Sequence, residues 1–174
     1  MPENAFFLDK SDPASWRALN GLAVKVSEAA EAAGLPRSVV ELLNVRVSQL
    51  NGCAFCLDLH VRRAREAGAS DQQLAVLPAW RDAAVFSAVE CAALAIAEAS
   101  TLQAGTALVH QEVDAARTAL TDAQFSALQW AAVAINAFNR VSILSRYPVR
   151  PRPEAAAAMQ ARQTEPARQA EGAV

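Results

Sequence analysis

Apolar residues recur at three- and four-residue spacing along most of this chain, and no stretch alternates apolar with polar positions long enough to make a strand. That pattern predicts an all-α fold. Asp12-Pro13 has the form of an N-cap with proline at the first helical position, opening a helix with Trp16, Leu19, Ala23 and Val26 on one face and Gly34 at its end. Leu35-Pro36 restarts the chain, and Val39, Leu42, Leu43, Arg46, Val47 and Leu50 keep helical spacing up to Asn51-Gly52, the strongest turn signal present. A third helix is expected from Cys53 to Ala67, basic at its end through Arg62, Arg63 and Arg65, with Gly68 as its cap.

A short helix should begin at Asp71 and stop before Pro78. Phe86 to Leu102 reads as a buried helix through Val89, Ala92, Ala93, Ile96 and Ala97, interrupted at Gly105. Val109 to Leu120 is a more polar helix. Thr121 to Gln124 then forms a capping box that opens a long helix to about Tyr147, with Phe125, Leu128, Ala132, Ile135, Phe138 and Ser142 on one face. The count is about seven helices in one domain, residues 1–147. Pro148 to Val174, where prolines and arginines give way to an Ala, Gln and Glu tract, is expected to be a mobile tail.

Composition narrows the function classes. At 174 residues, 53% hydrophobic and 20% charged, the chain can build one core and is too apolar for general disorder. Sixteen Lys plus Arg against eighteen Asp plus Glu offer no broad attraction for a phosphate backbone or an anionic membrane, so neither nucleic acid nor membrane is an expected partner. The longest apolar runs, such as Ala92 to Ala97, fall far short of the roughly 20 residues of a membrane-spanning helix. Met1 to Lys10 carries Glu3 and Asp9 and no secretory pattern, and three cysteines are an odd number for a disulfide framework. A reducing, cytoplasmic location is the expectation. Alanine-rich helices leave wide apolar faces, which points to a homo-oligomer.

Asn51-Gly52-Cys53-Ala54-Phe55-Cys56-Leu57-Asp58-Leu59-His60 holds the candidate chemistry. On a helix Cys53, Cys56 and His60 share one stripe two turns long, so two thiols and an imidazole face one place. Two cysteines three apart at a helix start suit reversible disulfide chemistry. The helix dipole favours Cys53 as the thiolate, whereas His60 sits one turn from Cys56 and two turns, roughly 10 Å, from Cys53. A base acting directly on the thiol proton weighs more, which makes Cys56 the attacking sulfur and Cys53 the resolving one. The pair should then lie side by side at a water-reachable pocket. Two alternatives stand beside this: a buried structural pair of cysteines with a packed histidine, and a zinc site of Cys53, Cys56 and His60 with a position left open. Cys91, set among alanines, reads as a small buried hydrophobe, and His110 as an exposed or capping side chain. Asp58 points off the stripe. Asn136, Asn139 and Arg140 read as structural residues that tie helix ends or subunits together.

The run Glu41 to His60, with its Glu, eleven residues, CxxC, three residues and His, resembles the core of the AhpD-like alkylhydroperoxidases of the carboxymuconolactone decarboxylase superfamily. The likeness continues through Gly68, Trp80, the Glu90 to Thr101 stretch and Ile135-Asn136-Ala137-Phe138-Asn139-Arg140, similar to that family's IN-aromatic-NR signature. It implies an AhpD-like helical bundle that assembles as trimers or hexamers and reduces hydroperoxides through thiols. By position, Cys56 corresponds to the peroxidatic cysteine, Cys53 to its resolving partner, His60 to the base and Glu41 to a carboxylate completing a proton relay. A thioredoxin-like or lipoyl-bearing dithiol protein would then regenerate the pair, and no metal, flavin or haem is implied. Relatives with decarboxylase or lactone chemistry resemble this chain but look to lack the CxxC pair; a redox-sensing thiol switch is the other alternative. Glu41 lies about 18 Å from Cys53 along a continuous helix, so it reaches the thiols only if the chain bends at Asn51-Gly52.

Overall fold

Short polar side chains folded back on the backbone set most helix starts in this chain. The computed structural model describes residues 6–102 and 106–152, and among them are eight α-helices and no strand. These are α1 (Leu8–Ser11), α2 (Pro13–Ala32), α3 (Arg37–Leu50), α4 (Ala54–Glu66), α5 (Asp71–Val76), α6 (Ala88–Leu102), α7 (Thr106–Arg117) and α8 (Asp122–Leu144), with a 3-10 segment at Leu77–Asp82. The all-α class read from periodicity holds. Asp12 caps α2 through Ala14 and Ser15, and Thr121 with Gln124 closes a capping box on α8.

Several boundaries differ from expectation for physical reasons. The single turn α1 has no local signal; a tertiary bond supports it, with Leu8 N–H donating to Ser145 Oγ at 3.1 Å. Pro78 sits in the first turn of a 3-10 segment rather than at a break, because proline lacks only an N–H that a first helical turn leaves unpaired. α6 starts at Ala88, two residues late, since Ser87 caps it: the Ser87 hydroxyl accepts from Glu90 N–H while the Glu90 carboxylate accepts from Ser87 N–H. α7 runs from Thr106 to Arg117 instead of Val109 to Leu120. α8 ends at Leu144 because Arg146 takes a positive φ of 51° and Tyr147 N–H returns to the Ser142 carbonyl. Residues 148–152 of the expected tail have no regular structure; its remainder and Gly105 lie outside the described residues.

α3 is the centre of the packing. Its Leu42, Leu43, Val45 and Val47 are wholly buried, and it contacts α4, α6 and α8. Each such leucine contributes about 2 kcal/mol by burial alone. The run Ala92 to Ala97 is buried throughout, and small side chains let α6 approach α3 closely. α2 closes the far side of α8, with Trp16 edge-on to Phe138 at 5.6 Å between centroids.

The connection that matters for the site is the turn between α3 and α4. Gly52 has φ of 66°, the left-handed conformation that costs a side-chain-bearing residue about 1 kcal/mol or more. Cys53 N–H closes this turn on the Ser48 carbonyl at 3.0 Å and Gly52 N–H on that of Gln49 at 3.1 Å. The chain therefore reverses at Asn51-Gly52, and α4 lies against α3.

Candidate functional site

Because α4 folds back on α3, Glu41 and His60 meet although they are nineteen positions apart in sequence. His60 Nδ1 lies 2.7 Å from Glu41 Oε2, and both residues are buried at 8% and 6% exposure. The carboxylate only accepts, so the imidazole donates from Nδ1 and keeps Nε2 as its basic nitrogen. Arg37 Nε stands 4.0 Å from the other oxygen of Glu41.

Cys53 is the N-cap of α4, and its sulfur accepts from Cys56 N–H at 3.4 Å. Cys56 occupies the first turn and His60 the next, on the same buried side of α4. The Cys56 thiol donates to Ser142 Oγ, 3.4 Å away on α8. Both cysteines are free and buried, Cys53 at 2% and Cys56 at 4% exposure. Two cavities lie elsewhere, one between α6, α7 and Trp80 and the other beside Thr101 and Asn136.

Burial, reinforced by the neighbouring Cys56 thiol, pushes the Cys53 thiol up to about 12. The bond from Cys56 N–H pulls the other way and loses. A helix dipole favours Cys53 in sequence, but desolvation of the charged form outweighs it.

The turn carrying Cys53 is clamped from α8. Asn51 Nδ2 donates to Asn136 Oδ1 at 2.8 Å and to Asn139 Oδ1 at 2.9 Å, while Arg140 Nη1 donates to Asn51 Oδ1 at 2.7 Å. Asn139, wholly buried, donates in turn to Ser48 Oγ at 3.3 Å. Asn136, Asn139 and Arg140 thus serve one short turn.

A second buried carboxylate escaped the sequence reading. Glu98 accepts from Arg46 Nη2 at 2.6 Å and Trp80 Nε1 at 3.0 Å, and also from Arg81, which reaches on to Glu112. Burial raises its carboxyl, but the bonds from Arg81, Trp80 and Arg46 hold it below the ordinary value. Its one signal was a glutamate inside the apolar run Ala95-Ile96-Ala97-Glu98-Ala99. Ser142 was placed on the inner face of α8 without a role, and only the fold brings it to Cys56.

Tyr147 packs edge-on to Phe55 at 5.1 Å and stacks with Phe7 at 6.0 Å. Asp58 is off the cysteine stripe and pairs with Arg152 and, at 3.8 Å, with Arg62. Cys91 is half-buried in the wall of the α6–α7 cavity, and His110 is exposed. Among the described residues no three His, Cys, Asp or Glu side chains are grouped to hold a metal, and no helix is long and apolar enough to cross a membrane.

Comparison with known proteins adds to this geometry. The model of the carboxymuconolactone decarboxylase family matches residues 15–99. The chain is 36% identical over 107 residues to the uncharacterized protein YdfG of Bacillus subtilis (strain 168), covering 62% of this chain and 73% of that one. It also superimposes with a TM-score of 0.74 on the crystal structure of ATU0492 from Agrobacterium tumefaciens, at 29% identity over 85% of this chain and all of the other. That protein is of unknown function, with antioxidant defence of the AhpD kind as its suggested role.

Proposed function

Since the chain belongs to the carboxymuconolactone decarboxylase family and has an AhpD-like fold, we propose that it is a thiol-dependent peroxidase working through Cys56, Cys53, His60 and Glu41. His60 takes the Cys56 proton on Nε2, and Glu41 orients the ring and stabilises the imidazolium. The Cys56 thiolate attacks one oxygen of a hydroperoxide. An S–O bond forms, the O–O bond breaks, and the departing alkoxide recovers the proton from His60, giving an alcohol and a sulfenic acid. Cys53 sulfur then attacks Cys56 sulfur, and its proton leaves with the hydroxide as water. An external dithiol, from a thioredoxin-like or lipoyl-bearing protein, returns two electrons and two protons to the disulfide.

The buried His60–Glu41 pair beside the CxxC turn carries this proposal. The carboxylate fixes the ring and leaves Nε2 as the free basic nitrogen on the side of α4 that carries Cys56. The high thiol of Cys53 further supports Cys56 as the attacking sulfur, since Cys53 stays protonated at neutral pH. Exposed Trp130, Val133 and Leu144 along the outer side of α8 support assembly with further copies, as trimers or hexamers.

Steady-state hydroperoxide consumption with a small dithiol donor tests the assignment. Cys56→Ser should reduce it to the uncatalysed background, and full turnover in that variant rejects the mechanism. One stoichiometric oxidation of the parent protein without recycling would instead mark a thiol switch.

A further inference from the structure

Hydroxyl side chains inside a helix usually bond a carbonyl of their own preceding turn. Among the described residues four do so: Ser11 Oγ donates to the Leu8 carbonyl at 3.1 Å, Ser48 Oγ to that of Asn44 at 2.7 Å, and Ser100 Oγ and Thr101 Oγ1 to that of Ala97 at 3.1 and 2.7 Å. Ser142 makes no such bond among the described residues. It is buried at 6% exposure at the end of an inner face otherwise built from Phe125, Leu128, Ala132, Ile135 and Phe138, where an unpaired hydroxyl carries a desolvation penalty. Its side-chain partner is the sulfur of Cys56, contributed by a helix 86 positions away in sequence.

We propose that Ser142 is a catalytic residue of this site, its hydroxyl solvating the Cys56 sulfur once the thiol proton has left. Resting on the reaction proposed above, this adds a donor that the motif from Glu41 to His60 does not contain. In the resting site the thiol donates to Ser142 Oγ. When the proton passes to His60, the hydroxyl turns about its C–O bond and donates to the thiolate, replacing a hydration shell that a 4% exposed sulfur lacks. Serine can reverse the direction of its bond; alanine cannot, and threonine can.

The pH dependence of Cys56 alkylation by iodoacetamide, followed peptide by peptide in the full chain, tests this without any peroxide. Ser142→Ala favours the helix and leaves only a hydroxyl-sized gap, so folding is retained. It should raise the alkylation midpoint of Cys56 by about one pH unit, roughly a tenfold loss of thiolate at neutral pH, as expected for one hydrogen bond to a charged group. Ser142→Thr should keep the midpoint near that of the parent. An unmoved midpoint in Ser142→Ala, or equal shifts in both variants, overturns the role. Because no turnover is measured, failure of the peroxidase assignment in the Cys56→Ser assay remains a separate result.

Discussion

If burial governs the thiols, the cysteine nearest the positive end of α4 should be the slower to react. Burial pushes the Cys53 thiol from the ordinary 9.0 up to about 12, which lowers its thiolate fraction at neutral pH about a thousandfold relative to an ordinary thiol. A more basic thiolate is also a better nucleophile, by roughly 0.4–0.5 of each unit, which restores about 16- to 30-fold. The net expectation is alkylation of Cys53 about 30- to 60-fold slower than an unperturbed thiol, before any steric shielding. Iodoacetamide added at pH 7 to reduced protein, with peptides from Cys53 and Cys56 quantified over time by mass spectrometry, measures this directly. Cys56 should be modified first. Equal or faster labelling of Cys53 would mean that the helix dipole outweighs desolvation, and the assignment of the attacking sulfur would reverse. The same displacement has a thermodynamic face: the unfolded thiol ionises near 9.0 and the native one near 12, so the folded state holds its proton longer and stability should fall as pH rises above about 9.

Asn51→Ala removes the donor to Asn136 and to the wholly buried Asn139, which should cost about 2 kcal/mol and lower Tm by roughly 4–8 °C at fixed protein concentration. An unchanged circular-dichroism melt would show that α8 does not hold the turn. Glu98 is held below its ordinary 4.5, so its contribution is fully present above that value and is lost as pH falls through the lower native one. Glu98→Gln, which strands Arg46 at 13% side-chain exposure, should cost about 3 kcal/mol at pH 7 and flatten the acid limb of stability below about pH 5. Urea melts across pH check this, and a parent-like acid limb in the variant rejects it.

The candidate site was legible in the chain wherever the chemistry is local. Cys53, Cys56 and His60 fall within two helical turns, and Asn51-Gly52 announces the reversal that lets Glu41 join them. The long-range partners were not legible, because spacing says nothing about which helix faces which. Ser142 looked like one more inward position of α8, and Glu98 like an interruption of an alanine run; each gains meaning only when α6 packs against α3 and α8 against α3 and α4. Burial of the sulfurs also depends on tertiary packing, which is why a dipole argument from helix position pointed to Cys53. The one-turn α1 was invisible for the same reason, as its support comes from Ser145.

Tyr147 is the single tyrosine of the chain, and its ring rests on Phe55 between the two cysteines. Burial and the nearby Asp9 carboxylate push its phenol up to about 12. The protein thereby carries a built-in optical probe of the turn that holds Cys53 and Cys56. Ultraviolet titration of that lone phenol reports, without any label, whether the start of α4 is packed or loosened, since a freed phenol ionises near the usual 10.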